Sequence, residues 1–341
     1  MKRQLSLILT SCKRALLHAC STNRFFVSVF FFITRSYQLE QHALLSGIKR
    51  FSFLAKQEKT SVSLLRRNIH RLEKGLIMQP RKAQFAVDYI YQTVEIFENH
   101  VNQSNAPSSE LDWAFCVLDY YFDVVALEHE AIKLSCVLFK KIKYTPKSLA
   151  SKPFNYKEKR FQTNIFQELV HKRKSVRWFK DNSAPSPETI RKAVDIAMQA
   201  PSACNRQSFE YHFITEGKLL AQLLALPGGV VGFANNIPSL MVVVGDYSGY
   251  YLERDRHLIY IDSSLSTMLM LLAIEEMGFN SCVLNWPEND RNNQKINKIL
   301  SLPSYKKVIM LIALGQGENE GGIPYSHKKD ASSVLTIHNN E

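Results

Sequence analysis

The spacing of apolar residues changes near residue 160, and this change limits the folds that the chain can adopt. Between residues 61 and 141 apolar side chains recur at helical spacing, and no strand pattern occurs before about residue 205. From Asn164 onward, helical stretches alternate with short runs rich in β-branched residues. The sequence therefore predicts an all-helical N-terminal region followed by an α+β domain, whose sheet has helices on both faces.

The chain has 341 residues, which is long enough for two domains. We divide it into a basic segment of residues 1–60, a helical region of residues 61–156 and an α+β domain of residues 157–341. The linker that ends the helical region, residues 144–156, carries two prolines.

Helical periodicity and strand propensity place the individual elements. Helices are predicted over residues 61–76, 84–100, 111–141 (as one helix or two), 164–171 and 261–277, and one more begins with Ser186 as its N-cap and Pro187 in its first turn. Strands are predicted over residues 211–215, 240–245, 281–286 and 307–314.

Much of the positive charge lies at the N-terminus. Residues 1–60 contain ten Lys and Arg against Glu40 and Glu58, a net charge of +8 out of +12 for the whole chain. Such a segment attracts phosphate-rich partners, although a solvated, poorly ordered arm explains it about equally well. It lacks any nucleic-acid-reading motif, so we expect no nucleic-acid partner.

The basic segment contains one apolar run, Phe25–Ile33, bracketed by Arg24 and Arg35. The run is about half of the roughly 20 residues that span a bilayer. We favour a buried or interfacial helix, then a membrane-surface anchor, then a signal peptide. The expectation is a cytoplasmic protein in which residues 1–60 offer a peripheral membrane contact.

Cysteine and histidine spacing argues against disulfides and metals. The six cysteines show no CxxC pattern and the ten histidines are scattered. We therefore expect a reducing compartment and no metal site.

The helical region contains a basic stretch, Arg66–Leu76 (RRNIHRLEKGL). Its cations, with an Asn and a His, could bind a phosphate or an acidic sugar. The ordinary meaning of charge on a helix face favours a solvated basic surface instead, with Glu73 pairing locally.

Two polar segments could carry chemistry in the α+β domain. Arg173–Phe179 (RKSVRWF) holds three cations and a hydroxyl, and guanidinium groups suit phosphate because they bind two oxygens at once. By spacing alone, a surface basic cluster would explain it better. Ala200–Gln207 (APSACNRQ) adds hydroxyl, amide and guanidinium groups that suit a heterocycle. None is a candidate general base, and we interpret Cys204 as a packed thiol, so a bound cofactor is expected to supply the chemistry.

Together the two segments resemble the FMN-dependent nitroreductase family, over roughly residues 160–335. RKSVRWF follows the family's R-[RH]-S-x-[RK]-x-F, and APSACNRQ follows its A-P-S-x-x-N-x-Q-P-W up to Gln207, in the family's order and separation. The chain departs at Ser208 and Phe209, where the family usually has Pro-Trp. The resemblance implies a nitroreductase-like sheet, bound FMN, NADH or NADPH as the electron donor, and a homodimer with the flavin at its interface.

The resemblance also implies which residues bind the cofactor. In the family the first segment holds the flavin phosphate and ribityl chain, and the second approaches the flavin from the partner subunit. A strand equivalent to Gly278–Trp286 offers a backbone N–H to flavin N5, and a C-terminal tail contacts the phosphate again. The implied cofactor-binding residues are Arg173, Lys174, Ser175, Arg177, Pro201, Ser202, Asn205, Gln207, Leu284, Asn285, Trp286 and Lys328.

A narrower resemblance includes the helical region. The RRNIHRLEKGL helix before such a domain is similar to an uncharacterised bacterial subgroup associated with surface-polysaccharide synthesis. The implied function is FMN-dependent reduction or dehydrogenation of an unidentified small molecule, without a catalytic side chain. The alternative is a catalytically silent flavin-binding or scaffold protein at a membrane or polysaccharide-synthesis complex.

Overall fold

A computed structural model describes residues 24–35, 37–78, 80–103, 108–147, 164–215, 217–230, 232–319, 322–323 and 331–338. These residues form eleven α-helices and one four-stranded sheet, so the expected α+β class is confirmed. The N-terminal helices are α1 (Arg24–Thr34), α2 (Gln38–Ser52), α3 (Val62–Leu76), α4 (Ile90–Gln103), α5 (Ser108–Val124) and α6 (Glu130–Lys141). The C-terminal helices are α7 (Ile165–Lys172), α8 (Pro187–Ala197), α9 (Gly217–Leu224), α10 (Leu258–Glu276) and α11 (Asp290–Ile299). The strands are β1 (Phe209–Ile214), β2 (Ser239–Asp246), β3 (Asn280–Asn285) and β4 (Lys306–Gly315).

Helices α3 to α6 bury their apolar stripes against one another in a core of their own. The predicted start at Ser61 is confirmed, because its hydroxyl accepts a hydrogen bond from the Leu64 N–H at 3.2 Å. The next helix starts later than predicted, at Ile90. Ala86 has a φ of 65°, in the left-handed region that a right-handed helix does not accommodate. The predicted stretch 111–141 is two helices, α5 and α6.

The sheet is antiparallel, in the order β1-β2-β4-β3, and all four predicted strands are confirmed. Residues 239–245 of β2 are buried throughout, which explains why their sequence is apolar without alternation. Helices α8 and α10 cover one face of the sheet, and α9 and α11 cover the other. In this order β3 is an edge strand, and no other full strand among the described residues pairs with its outer edge.

The first half of helix α10 has its polarity reversed relative to an ordinary surface helix, whereas Met270, Leu271, Ala273 and Ile274 of its second half pack in the core. In the first half the buried side includes Asp262, Ser263, Ser266 and Thr267, whereas the apolar residues Ile261, Leu265 and Met268 are exposed. The buried polar groups have partners: the Ser266 hydroxyl donates to the carbonyl of Ala197 at 2.9 Å and accepts from Tyr211 at 2.8 Å. A polar side therefore attaches α10 to the domain and an apolar side faces outward.

By length and hydropathy, one helical stretch among the described residues could cross a membrane, and it is Glu253–Glu276, which contains α10. More than half of it is buried inside the fold. A core helix of a soluble domain meets the same criteria, and the packing of α10 against α8 and the sheet accounts for its composition.

Helix α2 packs against the C-terminal domain. The carboxylate of Glu40 accepts hydrogen bonds from the hydroxyls of Tyr260 at 2.8 Å and Tyr247 at 3.3 Å. Gly47 lies so close to the backbone of Tyr247 that a Cβ there would come within 2.7 Å of its carbonyl carbon. Residues 38–52 are thus a docked helix, and the interpretation of residues 1–60 as a solvated arm is wrong for this part.

Candidate cofactor site

The segment Arg173–Phe179 leaves α7 and runs along the outer edge of β3. The Val176 N–H donates to the carbonyl of Ser281 at 3.0 Å, and Ser175 pairs with Ser281 in an isolated parallel bridge. Val176 and Phe179 are buried in the core beneath the sheet. Phe179 forms a second isolated bridge, with Gly317 just after β4, so the segment is anchored at both of these positions.

Arg173, Ser175 and Arg177 alternate along the segment with Lys174 and Val176. All three are partly exposed, and Lys174 is exposed. No carboxylate within the described parts of the chain forms an ion pair with Arg173, Lys174 or Arg177. The segment is therefore a concentration of positive charge available to an anion.

The same positive charges affect the pKa of the Cys282 thiol on β3. Burial raises this pKa, and the positive charges of Arg177 and Arg173 act in the opposite direction. Both guanidinium groups therefore lie within electrostatic reach of the middle of β3.

Strand alternation identifies which N–H groups of β3 face its open edge. The Ser281 carbonyl points outward to Val176, so Val283 and Asn285 also direct their N–H groups outward, while Leu284 faces β4 opposite Leu311. No described backbone carbonyl accepts from the Asn285 N–H. Of the three residues that the sequence implied for this contact, Asn285 is the one whose N–H is directed to the open edge.

The side chains of Leu284 and Trp286 pack in the core. Leu284 is buried under the sheet, and the indole of Trp286 donates to the Asn293 side chain on α11 at 2.7 Å. Lys328 lies outside the described residues.

The second segment forms a tight loop after α8, with Pro201 exposed at its start. The Ser202 hydroxyl accepts from the Gln207 N–H at 3.2 Å and closes the loop. Cys204, Asn205 and Gln207 have φ values of 53°, 53° and 51°, all in the left-handed region. Such a conformation is unfavourable for residues with a Cβ and persists when the surroundings hold it.

Buried polar groups support this loop from the side of α10. The carboxylate of Asp262 accepts from the Ala203 N–H at 3.0 Å and from the Tyr250 hydroxyl at 3.2 Å. Burial raises the pKa of Asp262, and these hydrogen bonds and the nearby Arg206 charge act against that shift. Arg206 points inward, 3.5 Å from Asp255 and over the ring of Tyr250. Its guanidinium, which the sequence placed among the heterocycle-binding groups, is used within the fold.

In this chain the two segments stay apart. Among the described residues, no hydrogen bond or ion pair connects Arg173–Arg177 with Ser202–Gln207. The family model described as "Nitroreductase family" matches residues 170–230 and 228–316, which include both segments and the four strands. Over these residues the chain is similar to the nitroreductase family, and we name this part of the chain the nitroreductase domain after that similarity.

Two curated relatives match the nitroreductase domain at low identity. A protein of Archaeoglobus fulgidus with the assigned name NADH dehydrogenase/NAD(P)H nitroreductase is 23% identical over 45% of this chain and 86% of its own length. The Bacillus subtilis protein MhqN, with the assigned name NAD(P)H nitroreductase, is 20% identical over 50% of this chain and 97% of its own length.

Solved structures match the same half. An FMN-dependent nitroreductase from Clostridium difficile is 23% identical, with a TM-score of 0.41, covering 51% of this chain and 98% of its own. A nitroreductase family protein from Streptococcus pneumoniae is 19% identical, with a TM-score of 0.44, covering 51% of this chain and 100% of its own.

Two residues outside the two segments form hydrogen bonds with them: Asn236, which the sequence offered only as a weak candidate for a flavin contact, and Arg66, which it did not assign to the site. The amide of Asn236 accepts from the Phe179 N–H at 2.5 Å and donates to the Phe179 carbonyl at 2.8 Å, which fixes the end of the first segment. Arg66, from the helical region, donates to the carbonyl of Asn205 and to the side chain of Gln207, both at 2.7 Å. The interpretation of its helix face as solvated is wrong for Arg66. No local pattern could have indicated this contact, because its partners are 139 and 141 positions apart in sequence.

Proposed function

We propose that the protein is a homodimeric, FMN-dependent oxidoreductase of the nitroreductase type that takes electrons from NADH or NADPH and transfers them to a small molecule. The observation that carries the proposal is the concentration of Arg173, Ser175 and Arg177 in a segment that pairs with β3 at Ser281, with no carboxylate partner among the described residues. The match of residues 170–316 to the nitroreductase family model and the assigned names of the relatives support it. A role in surface-polysaccharide metabolism stays a prediction from the N-terminal resemblance.

The chemistry of the donor set fits FMN. A phosphate monoester is an anion with several acceptor oxygens, and two guanidinium groups, one ammonium and one hydroxyl supply matching donors in Arg173, Lys174, Ser175 and Arg177. The outward N–H of Asn285 is a donor of the kind that a flavin ring nitrogen accepts. The site therefore offers a charged end for the phosphate and a neutral N–H for the ring.

When bound, FMN supplies the hydride and electron transfer itself. The residues of the chain bind and orient it: the two arginines neutralise the phosphate charge, and their forked geometry restricts its position. The Asn285 N–H stabilises negative charge on the ring, an electrostatic contribution that does not require a side chain to change protonation. Asp262, the carboxylate bound to the second loop, is already occupied by two donors, so we assign it no proton-transfer role.

The exposed face of α10 supports the homodimer. Ile261, Leu265 and Met268 line one face of a helix whose polar side is turned inward. A monomer would be more stable with this apolar side buried and the polar side exposed, because burying apolar surface is favourable. A second copy covering this face would also bring the Ser202–Gln207 loop of one subunit toward the flavin of the other, as the family resemblance implies.

The proposal is tested by the visible absorption spectrum of the purified protein, before and after NADH or NADPH is added without air. We expect a flavin spectrum that bleaches on reduction and returns when an acceptor is added. A protein that contains FMN but does not bleach with either nucleotide would favour the catalytically silent alternative. A protein that neither contains nor takes up FMN would refute the assignment of both segments.

A second role, docking on an anionic membrane surface, is favoured by α1. Three of its exposed side chains are strongly apolar, Phe26, Phe32 and Ile33, and Phe32 is 85% exposed. Eleven residues make a helix of about 16 Å, too short to cross a hydrocarbon core of roughly 30 Å, so α1 would lie in the interface. The net charge of +8 in residues 1–60 is complementary to anionic lipid headgroups.

Flotation with vesicles tests this docking. We expect the full chain to bind phosphatidylcholine vesicles containing about 30% phosphatidylserine, and to bind pure phosphatidylcholine and high-salt samples much less. Replacing Phe26, Phe32 and Ile33 with serine should lower binding at least about tenfold. The matched control replaces Leu134 and Val137, exposed apolar residues of α6, with serine. Equal loss in both variants, or binding that ignores lipid charge, would contradict the docking.

A further inference from the structure

The side chain of Arg66 extends from helix α3 of the helical region to the loop Ser202–Gln207 of the nitroreductase domain. Its Nε donates to the Asn205 carbonyl, and its Nη2 donates to Oε1 of Gln207, both at 2.7 Å. Although charged, the side chain is only 11% exposed. One guanidinium thus holds two residues of the loop at the same time.

Arg66 is itself held in place from the helical side. Its Nη1 forms an ion pair with the Glu110 carboxylate on α5, and its guanidinium lies 5.2 Å from the ring centroid of Trp113. The Trp113 indole in turn donates to Glu73 at 3.0 Å, back on α3. All of these contacts lie within the helical region. That region therefore fixes the position of the Arg66 side chain independently of its contacts with the loop.

The loop needs such support. Three of its residues, Cys204, Asn205 and Gln207, adopt left-handed φ values that side chains with a Cβ disfavour, and Arg66 binds two of these three. Helix α3 packs against Ala203–Asn205, and beside this contact lies a cavity of about 280 Å³ that Gln207 lines. The hydrogen bonds from Arg66 add directed support to the loop on this side.

A different arginine attaches the two regions without touching the loop. Arg67 lies over the ring of Tyr251 at 5.1 Å from its centroid, and its Nη2 donates to the Tyr251 hydroxyl at 3.4 Å. Docking of the helical region and support of the loop can therefore be separated, since neighbouring residues of one helix perform them.

We propose that Arg66 is a positioning residue for the flavin-binding loop, so that the affinity of the nitroreductase domain for FMN depends on the docked helical region. The inference rests on the proposed function, in which Asn205 and Gln207 contact the cofactor. A loop already in its binding conformation binds with less loss of conformational freedom than a loop that must be ordered. Arg66 acts by keeping the backbone of Asn205 and the amide of Gln207 in that conformation.

The test compares four variants of the full chain: Arg66→Met, Arg66→Lys, Arg67→Met as the matched control, and Glu110→Gln, which removes the ion pair but leaves the Arg66 charge. FMN affinity is measured by quenching of flavin fluorescence. Hydrogen exchange of the amides of residues 203–209 is measured on the apoprotein, which reports on the loop without any cofactor. A Lys at position 66 keeps the charge but not the forked geometry, and serves as the conservative variant.

For Arg66→Met we expect FMN affinity to fall about 10- to 100-fold and loop exchange to accelerate about tenfold. For Arg67→Met both should stay within about twofold of the wild type, for Arg66→Lys they should be intermediate, and for Glu110→Gln the affinity should fall about threefold. Unchanged affinity and exchange in Arg66→Met, or equal losses in Arg67→Met, would overturn the inference while leaving the flavin site intact. If Arg66→Met does not fold, the FMN affinity of Glu110→Gln is the deciding measurement. A loss of about threefold would support the inference, and an unchanged affinity would overturn it. A wild-type protein that binds no FMN would instead refute the proposed function, even if loop exchange responded as expected.

Discussion

A variant in which both Arg173 and Arg177 are replaced by alanine is expected to bind FMN at least about 100-fold more weakly than the wild type. A hydrogen bond to a charged group contributes about 1.5–3 kcal/mol when it forms between well-placed partners. Two guanidinium groups that both act electrostatically on Cys282, and that have no carboxylate partner among the described residues, are available to bind the same phosphate. The measurement is a titration of the apoprotein with FMN, followed by flavin fluorescence.

Riboflavin, which lacks the phosphate, makes this test specific. The wild type should prefer FMN to riboflavin, and the double variant should lose that preference because the phosphate no longer finds its partners. The matched control is Arg191→Ala on α8, which removes an arginine whose side chain is 74% exposed and should change FMN affinity by less than about twofold. A double variant with unchanged FMN affinity would contradict the assignment of the phosphate site.

Features set by neighbouring residues were predictable from the sequence. The cap of Ser186 is an example, since its hydroxyl accepts from the Thr189 N–H at 3.1 Å and Pro187 occupies the first turn, as predicted. The uninterrupted apolar run of β2 predicted a strand buried on both faces. Local chemistry decides both of these outcomes, so a single sequence was sufficient.

The direction in which a correctly predicted helix faces was not predictable in the same way. Periodicity predicted an apolar helix from Ile261, Leu265, Met268, Leu269 and Leu272, and apolar side chains ordinarily point to the core of their own domain. Leu272 is buried, but Ile261, Leu265 and Met268 face outward, because Ser266 and Asp262 on the other side bind the end of α8 and the Ser202–Gln207 loop. Hydrophobic periodicity shows that a face is apolar, but it does not show whether the surface that covers it belongs to the same chain.

Contacts between distant parts of the chain were the least predictable. The basic helix face of α3 has the charge pattern of a solvated surface, yet Arg66 and Arg67 both contact the nitroreductase domain. Only the packing of α3 against that domain brings Asn205, Gln207 and Tyr251 within reach of these side chains. In the same way, strand alternation distinguished the Asn285 N–H from that of Leu284 only after the pairing of β3 was known.

The variant Leu265→Asp is expected to convert the proposed dimer into monomers and to reduce FMN affinity about 100-fold or more. Leu265 lies at the middle of the exposed apolar stripe of α10, 45% exposed in the single chain. A carboxylate buried in an apolar interface without a partner costs several kcal/mol, whereas the same carboxylate in a monomer stays in water. Sedimentation analysis measures the association, and the FMN titration measures the site.

The matched control is Leu134→Asp, because Leu134 is a helical leucine of similar exposure, 51%, that lies in the helical region. It should leave both association and FMN affinity unchanged. A Leu265→Asp protein that stays dimeric would show that the dimer uses another face. A Leu265→Asp protein that is monomeric but binds FMN as tightly as the wild type would show that one chain contains the complete site. The expected result, loss of both together, would explain why Arg173–Arg177 and Ser202–Gln207 make no contact within one chain: each loop would complete the site of the other subunit.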